Sequence, residues 1–210
     1  EQSAAFLSHY PYMHNLHKKR GLQSISRTSA KAIVGFLADD ELQGREAGMH
    51  GSRVAARYIV SCLKEAGIRP LDKNGYYQPF EAYAKERQQR GRWQVHPDSV
   101  AVLKQGTHRS LKMDNVLAYI PGKRSDEYVI VGAHFDHLGV DETLADDKIY
   151  NGADDNASGV SARIADSTCI CPQRRKAAEK CHLRLLGRRG KRIARFKTFR
   201  TALPVSQTDK

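Results

Sequence analysis

The chain has 210 residues, the length of one domain, and its 40% hydrophobic content with six Phe, nine Tyr and one Trp excludes a wholly disordered or collagen-like protein. No apolar run approaches the length of a membrane-spanning helix, so none is expected. The formal charge of +12 is uneven, since residues 163–210 hold 14 Lys and Arg against 3 Asp and Glu, whereas residues 1–162 hold 21 against 20.

Helices are predicted in the first third of the chain. Residues 1–28 are polar and are interpreted as a loosely attached arm, after which Ser29 is expected to cap a short helix. Residues 41–51 contain three glycines and are predicted to be a loop. Ser52 is expected to cap a second helix that ends at Gly67. Its apolar side chains recur at three- and four-residue spacing and are Val54, Ala55, Tyr58, Ile59, Cys62 and Leu63.

The middle of the chain carries the patterns of β-strands. An apolar period of two over residues 77–83 predicts a strand, and two more are predicted over residues 100–104 and 115–120, while the charged segment 85–92 is interpreted as a hairpin tip or loop. Residues 128–133 form a continuous apolar run, as expected of a strand buried on both faces of a sheet. Helices followed by strands and a buried strand predict a three-layer α/β fold.

Polar residues follow the predicted buried strand directly. His134 and Asp136 are separated by one residue and therefore point to the same side of an extended segment, which suits a His metal ligand with a supporting carboxylate. Residues 151–159 form a glycine-bounded acidic turn, and a carboxylate in such a turn can bridge two divalent ions about 3.5–4 Å apart. Each pattern alone is more often a surface hydrogen-bonded pair or a helix cap. Their combination after a buried strand indicates a metal site more specifically.

The stretch 129–159, which includes VIVGAHFDHLGV and IYNGADDNASG, closely resembles the co-catalytic di-zinc aminopeptidase family. That family includes bacterial leucyl aminopeptidase, aminopeptidase Y and glutamate carboxypeptidase relatives. Upstream, the sequences LADDELQGREAGMHGSRVAARYIVSCLKEAGI and GYYQPF resemble the amino-terminal segment of its secreted bacterial members. The resemblance covers residues 29–162. It implies a truncated three-layer sheet with flanking helices of the zinc-exopeptidase type, also called phosphorylase/hydrolase-like.

The resemblance also implies a mechanism and its residues. His134 would bind one of two zinc ions, Asp155 would bridge both, and Asp136 matches the supporting catalytic carboxylate, whereas His137 falls outside the ligand pattern. The implied reaction is hydrolysis of amino-terminal residues from peptides, in which zinc lowers the pKa of a water molecule and a Glu moves its proton to the leaving amine. A secreted or periplasmic (cell-envelope) location is implied as well.

The family pattern stops after residue 162. The family takes its remaining ligands and its Glu base from later segments, beginning with a Glu-Glu pair after the next strand, and residues 163–210 contain no such pair. A divergent basic extension, a nucleic-acid-binding tail and an out-of-frame translation are the three possible explanations. The Cys and His residues of this segment lack paired zinc spacing and are Cys169, Cys171, Cys181 and His182.

The genetic code favours the out-of-frame explanation. Read one nucleotide later with suitable synonymous codons, residues 180–185 can become Asn-Val-Ile-Phe-Ala-Phe, and the segment that follows can begin Leu-Gly-Glu-Glu-Glu. We therefore predict that a frameshift near residue 162 replaced the rest of the domain and left a basic, disordered tail at 163–210, with no specific nucleic-acid partner. The alternative is a non-enzymatic protein whose basic tail binds nucleic acid or another anionic polymer.

Overall fold

The computed structural model describes residues 26–86, 93–121, 128–170 and 180–186, and its fold is mixed α/β, as predicted. The helices are α1 (Arg27–Leu37), α2 (His50–Glu65), α3 (Pro97–Lys104) and α4 (Gly159–Ile170). The strands are β1 (Arg69–Pro70), β2 (Tyr77–Lys85), β3 (His108–Ile120), β4 (Tyr128–His134), β5 (Gly139–Val140), β6 (Ile149–Tyr150) and β7 (Lys180–Leu186). Within the described ranges, no helix is long and apolar enough to cross a membrane.

The main sheet has five strands in the order β1-β3-β7-β4, and β2 pairs with β3 in addition. Strand β3 runs antiparallel to β1, β2 and β7, whereas β4 runs parallel to β7. In this register His134 at the end of β4 lies opposite Leu186 at the end of β7. Strands β5 and β6 form a separate two-stranded sheet just after β4. The chain therefore emerges from the sheet at His134 and returns through a small hairpin to the acidic turn.

The main core lies between this sheet and helices α1, α2 and α4. Among its most completely buried side chains are Leu37, Ile59, Leu63, Ile68, Val116 and Val160. Cys62, which belongs to the apolar stripe of the predicted second helix, is half-buried and packs against this core. Burial also raises the pKa of the Cys62 thiol, which disfavours the reactive thiolate.

Both helix starts differ from the predicted caps. Helix α1 is capped by Ser26, whose Oγ accepts a hydrogen bond of 2.9 Å from the Ser29 amide, so Ser29 lies inside the first turn. Helix α2 begins at His50, and Ser52 donates from within it to the Met49 carbonyl at 2.9 Å. The earlier start of α2 depends on Gly51, because a Cβ there would lie 1.8 Å from the Leu42 carbonyl oxygen.

The three predicted strands before residue 121 have different outcomes. The strands predicted over 77–83 and 115–120 are confirmed as parts of β2 and β3. The strand predicted over 100–104 is wrong, because these residues belong to helix α3, which begins at Pro97. Proline at the first helical position favours that start, and the apolar alternation was misleading because Val102 is 68% exposed. Of the charged segment predicted to be a hairpin tip or loop, residues 87–92 lie outside the described residues.

The prediction that residues 128–133 are a strand is confirmed, but the prediction that both of its faces are buried is wrong. Val129 and Ile130 remain 40% and 42% exposed, and burial begins at Ala133. The physical reason for this exposure is that β4 lies at an edge of the sheet. Within the described residues it is the last strand in the order and pairs with β7. A strand with a purely apolar sequence is buried on both faces only when other helices or strands cover both of those faces.

Structure also extends beyond residue 162, where a disordered tail was expected. Helix α4 continues to Ile170 and buries Val160 and Ile164, and β7 joins the sheet. These two elements depart from the expectation of disorder, and the remainder of 163–210 lies outside the described residues. At the other end, α1 begins inside the segment 1–28 that was interpreted as an arm. The exact domain limits stay a prediction.

Candidate metal centre

His134 and Asp155 meet at the carboxyl end of β4, as the sequence predicts. The His134 Nε2 atom lies 2.9 Å from Asp155 Oδ1. On the other side of the ring, Nδ1 donates a hydrogen bond of 3.0 Å to the backbone carbonyl of Asp136. This bond holds the Nδ1 proton and orients the imidazole, so Nε2 is the atom that faces the acidic turn.

Asp136 lies behind the imidazole ring. Asp136 is only 1% exposed, and its Oδ1 atom lies 3.8 Å from His134 Nδ1. A buried carboxylate on the Nδ1 side of a metal-ligating histidine raises the basicity of the ligand and restricts the ring. The position of Asp136 is therefore that of a supporting carboxylate, and its catalytic role stays a prediction.

The acidic turn reaches His134 because two glycines permit close approaches. Gly152 has φ 62°, and a Cβ there would lie 2.6 Å from both the Asp155 carbonyl oxygen and the His137 ring. At the other end, Asn156 Oδ1 accepts a hydrogen bond of 3.0 Å from the Gly159 amide, where a Cβ would lie 2.2 Å from this oxygen. These contacts set the course of the turn across Asp155, whose peptide bond to Asn156 is cis.

A buried arginine that the sequence analysis did not single out lies beneath the site. Arg45 is fully buried and donates from Nε to the Phe135 carbonyl at 2.7 Å, from Nη1 to the Asn151 carbonyl at 2.6 Å and from Nη2 to the Gly152 carbonyl at 2.9 Å. Nη1 also bonds to the Leu37 carbonyl. Burial lowers its pKa to about 10, so it remains charged at neutral pH. A single Arg in a glycine-rich loop gives no sequence signal of this burial.

The donor atoms present fit part of a zinc site. Imidazole nitrogen and carboxylate oxygen are both zinc ligands, and two atoms 2.9 Å apart can share one ion bound at about 2 Å from each. Within the described residues, no set of three or more His, Cys, Asp or Glu side chains converges as a metal-binding group. His137 lies beside the site and its amide donates to the Arg45 carbonyl at 3.0 Å. His134 Nε2 and Asp155 Oδ1 are therefore two donor atoms placed so that they could share one ion, and their role as metal ligands stays a prediction.

A family model matches the part of the chain that contains this site. Residues 115–176 match peptidase family M28. This segment begins within β3 and includes β4, the acidic turn and α4, so it contains His134, Asp136 and Asp155. No curated protein matches this chain at a significant level.

Solved structures share the fold at low sequence identity. An aminopeptidase from Aneurinibacillus sp. strain AM-1 is 13% identical, with a TM-score of 0.52 over 79% of this chain and 63% of that chain. A zinc aminopeptidase from Bacillus subtilis is 10% identical, with a TM-score of 0.50 over 76% of this chain and 61% of its own. A glutaminyl cyclase from Fimbriiglobus ruber is 15% identical, with a TM-score of 0.51 over 77% of this chain and 45% of that chain.

At these identities the structural likeness establishes the fold alone, and the chain spans less than two thirds of each of these proteins. The likeness of fold covers most of this chain, whereas the family match is confined to residues 115–176. The match of that segment to peptidase family M28, together with the shared fold, confirms the predicted resemblance of this chain to the co-catalytic zinc exopeptidases.

Proposed function

We propose that this chain derives from a zinc-dependent exopeptidase that removes amino-terminal residues from peptides, and that the chain itself is catalytically incomplete. The observation that carries the proposal is the contact of 2.9 Å between His134 Nε2 and Asp155 Oδ1 at the carboxyl end of β4. This edge of an α/β sheet is where ligands bind. The family match over the same residues supports a peptidase ancestry.

In this proposal each residue has a separate task. His134 and Asp155 hold zinc, which when bound polarises the scissile carbonyl and lowers the pKa of water. Asp136 and its own backbone carbonyl keep the imidazole of His134 turned toward Asp155. The substrate is a peptide with a free amino terminus, and the proposed location is secreted or periplasmic, as in the secreted family members that the sequence resembles.

The incompleteness follows from the sequence after residue 162. Its three carboxylates are Asp166, Glu179 and Asp209, and none forms the Glu-Glu pair of the family. Asp166 is instead engaged with Arg163 at 3.2 Å on α4. A stable zinc site usually has three or four protein ligands, and general-base catalysis contributes typically about 10²–10⁴-fold to the rate. This chain is therefore expected to bind zinc weakly and to turn over poorly.

Zinc binding by the full-length chain tests the proposed ligands. Competition with a chromophoric chelator should show weak uptake by the unmodified chain and at least tenfold weaker uptake after His134→Ala or Asp155→Asn, because each change removes one of two ligands. His96→Ala is the matched control, since His96 lies near α3 and contacts Asp98 at 3.3 Å. It should leave uptake unchanged.

Two results would contradict this proposal. One is zinc uptake that is equal in the chain with and without His134 and Asp155. The other is the absence of zinc uptake together with tight DNA binding that falls steeply with salt, which would instead support the role of the basic tail in binding nucleic acid.

A further inference from the structure

The buried guanidinium of Arg45 joins the two segments that carry the proposed zinc ligands. Phe135, whose carbonyl it binds at 2.7 Å, directly follows His134. Asn151 and Gly152, whose carbonyls it binds at 2.6 and 2.9 Å, begin the turn that leads to Asp155. One side chain thus hydrogen-bonds to the backbone on both sides of the site.

We propose that Arg45 is a positioning residue of the metal centre, which sets the separation of His134 and Asp155 before any metal binds. This inference rests on the proposed function, because it assigns Arg45 to the same site. Arg45 contacts the backbone of the ligand segments, and its described hydrogen bonds go to carbonyl groups. It therefore acts through the ligands and does not bind the metal.

The shape of the guanidinium is essential to this role. Its donors lie in one rigid plane, so the bonds from Nε, Nη1 and Nη2 fix the strand end and the turn at defined positions relative to each other. A lysine ammonium in the same place is a point charge on a flexible stem and cannot hold these carbonyls in one geometry. The conservative change Arg45→Lys therefore keeps the charge and removes the clamp.

The backbone around Arg45 has an uncommon left-handed conformation. Gln43, Gly44 and Arg45 have φ values of 47°, 62° and 49°, and such values are uncommon for residues other than glycine. A Cβ at Gly44 would lie 2.3 Å from the Gly139 carbonyl oxygen. Left-handed residues of this kind cluster where a precise placement is needed. Here the left-handed run delivers the Arg45 side chain under the site.

Charge favours the same arrangement. The carboxylates of Asp136 and Asp155 both interact attractively with the Arg45 guanidinium, and this partly offsets the cost of burying its charge. Asp136 is buried and the Asp155 side chain is 37% exposed, and these two carboxylates near one imidazole repel each other. A buried cation beneath them reduces this repulsion and stabilises their close approach in the metal-free protein.

A purely structural role is the competing explanation, since any buried arginine with several acceptors contributes to stability. The two roles are distinguished by a control that destabilises the fold without touching the site. Leu63→Ala is suitable, because Leu63 is 1% exposed in helix α2 and its side chain belongs to the main core. Ile59→Val is a milder second control in the same helix, where the residue is fully buried.

The experiment compares Arg45→Lys with these controls in the full-length chain at low temperature, where all variants are folded. The readouts are Co²⁺ and Zn²⁺ affinity by chelator competition and the visible spectrum of bound Co²⁺. We expect Arg45→Lys to weaken metal affinity about tenfold or more and to change the Co²⁺ spectrum. Leu63→Ala should keep the original affinity and spectrum at an equal or greater loss of stability, and Ile59→Val should keep them at a smaller loss. Unchanged affinity in Arg45→Lys, or an equal loss in the controls, would overturn the inference.

A second readout separates this inference from the proposed function. The amides of His137 and Ala157 are hydrogen-bonded to the carbonyls of Arg45 and Gly152, at 3.0 and 3.2 Å. If the unmodified chain binds no metal, the proposed function fails, but Arg45→Lys should still speed hydrogen exchange at these two amides more than Leu63→Ala does. Equal acceleration in both variants would show that Arg45 does not position the turn.

A third variant covers the case in which Arg45→Lys does not fold. Asn151→Ala retains the guanidinium but removes two bonds that hold the turn, from Asn151 Nδ2 to the Ala38 carbonyl at 2.7 Å and to Asp40 Oδ1 at 2.6 Å. It loosens one of the segments that Arg45 joins, so it should weaken metal affinity several-fold and speed exchange at Ala157. An unchanged affinity and exchange rate would contradict the positioning role.

Discussion

Gly152 is the residue on which the path of the acidic turn depends most directly. Its φ of 62° lies in the left-handed region, and a Cβ on this residue would collide with both the His137 ring and the Asp155 carbonyl. Glycine accepts this conformation without a steric cost and leaves the space that these neighbours occupy. Conformation and crowding therefore both select glycine at this position.

The change Gly152→Ala separates these two requirements when it is compared with Gly67→Ala. Gly67 has a similar φ of 67°, but a Cβ there would meet nothing within 4 Å. We expect a loss of about 1 kcal/mol in the free energy of unfolding for Gly67→Ala and about 2–5 kcal/mol for Gly152→Ala, since the latter adds overpacking to backbone strain. Urea denaturation measures both. Equal losses would show that crowding at Gly152 is relieved at no cost.

Asp114 illustrates a charged residue whose burial lowers stability. It lies in β3 and is half-buried, and burial raises the pKa of its carboxyl above the usual value. As pH rises, the carboxyl ionises first in the unfolded chain, and the folded state loses stability until its own carboxyl has ionised. The cost is absent at low pH, where the group is protonated in both states, and complete at neutral pH.

The change Asp114→Asn is therefore expected to stabilise the protein at pH 7. The gain in the free energy of unfolding should shrink as the pH falls toward the usual pKa of aspartate, because the carboxyl of the unmodified protein becomes neutral there. Denaturation curves at several pH values measure this gain. Asp146→Asn on an exposed loop is the control for the loss of one negative charge. A gain that is independent of pH would contradict burial of the charge as its cause.

Helix α1 shows how an element acquires its start from one side chain. Ser26 has an extended backbone, with φ −118° and ψ 144°, and its Oγ accepts from the Ser29 amide. The first four amides of a helix have no partner within it, so a serine at this position satisfies one of them. Because α1 carries the buried residues Ile33 and Leu37, its start also affects how the main core is covered.

Removal of this cap by Ser26→Ala is expected to cost about 1 kcal/mol in the free energy of unfolding. Ser61→Ala is a matched control, because Ser61 is exposed in helix α2 and its Oγ donates to the Tyr58 carbonyl within the same helix. Its removal should change stability by less than about 0.5 kcal/mol. Thermal unfolding of both variants is the measurement. A larger effect at Ser61 than at Ser26 would contradict a stabilising cap at Ser26.

At the scale of the whole molecule, β7 connects the sheet to the unusual carboxyl-terminal sequence. It lies between β3 and β4 and ends opposite His134. When the codons of residues 180–185 are read one nucleotide later, they can encode an apolar strand, and the segment that contains the Glu-Glu pair would follow it. The expected place of this pair after Leu186 lies outside the described residues, and the frameshift stays a prediction.

Restoration of the other frame is expected to restore activity. We predict that the present chain gives no appreciable turnover of aminoacyl-nitroanilides with added zinc, whereas a chain re-encoded in the next frame from residue 162 hydrolyses them. The rate difference should be at least about 10²-fold, since the general base alone contributes that much. The nucleotide sequence provides an independent check, because it must encode the Glu-Glu pair in that frame. Comparable turnover by both chains would contradict the incompleteness of this one.

Periodicity and local motifs allowed much of the fold and part of the site to be predicted. The spacing of apolar residues predicted α2, and the alternation over residues 77–83 predicted β2, because side-chain period follows directly from backbone geometry. His134 is a candidate ligand because its residue type and its position after an apolar strand are both visible in the sequence, whereas Asp155 is singled out within the acidic turn by the family resemblance. Their proximity needed the structure, which shows it at 2.9 Å.

Other features were decided only by tertiary structure. The exposure of Val129 and Ile130 depends on which strands and helices cover β4, and an apolar run carries no information about its neighbours. The burial of Arg45 depends on carbonyls contributed by residues as far along the chain as Phe135 and Gly152. Every residue has a backbone carbonyl that can accept a hydrogen bond, so the types of the accepting residues do not reveal these bonds in the sequence. Sequence alone therefore determined the candidate ligands, whereas the fold decided what holds them together.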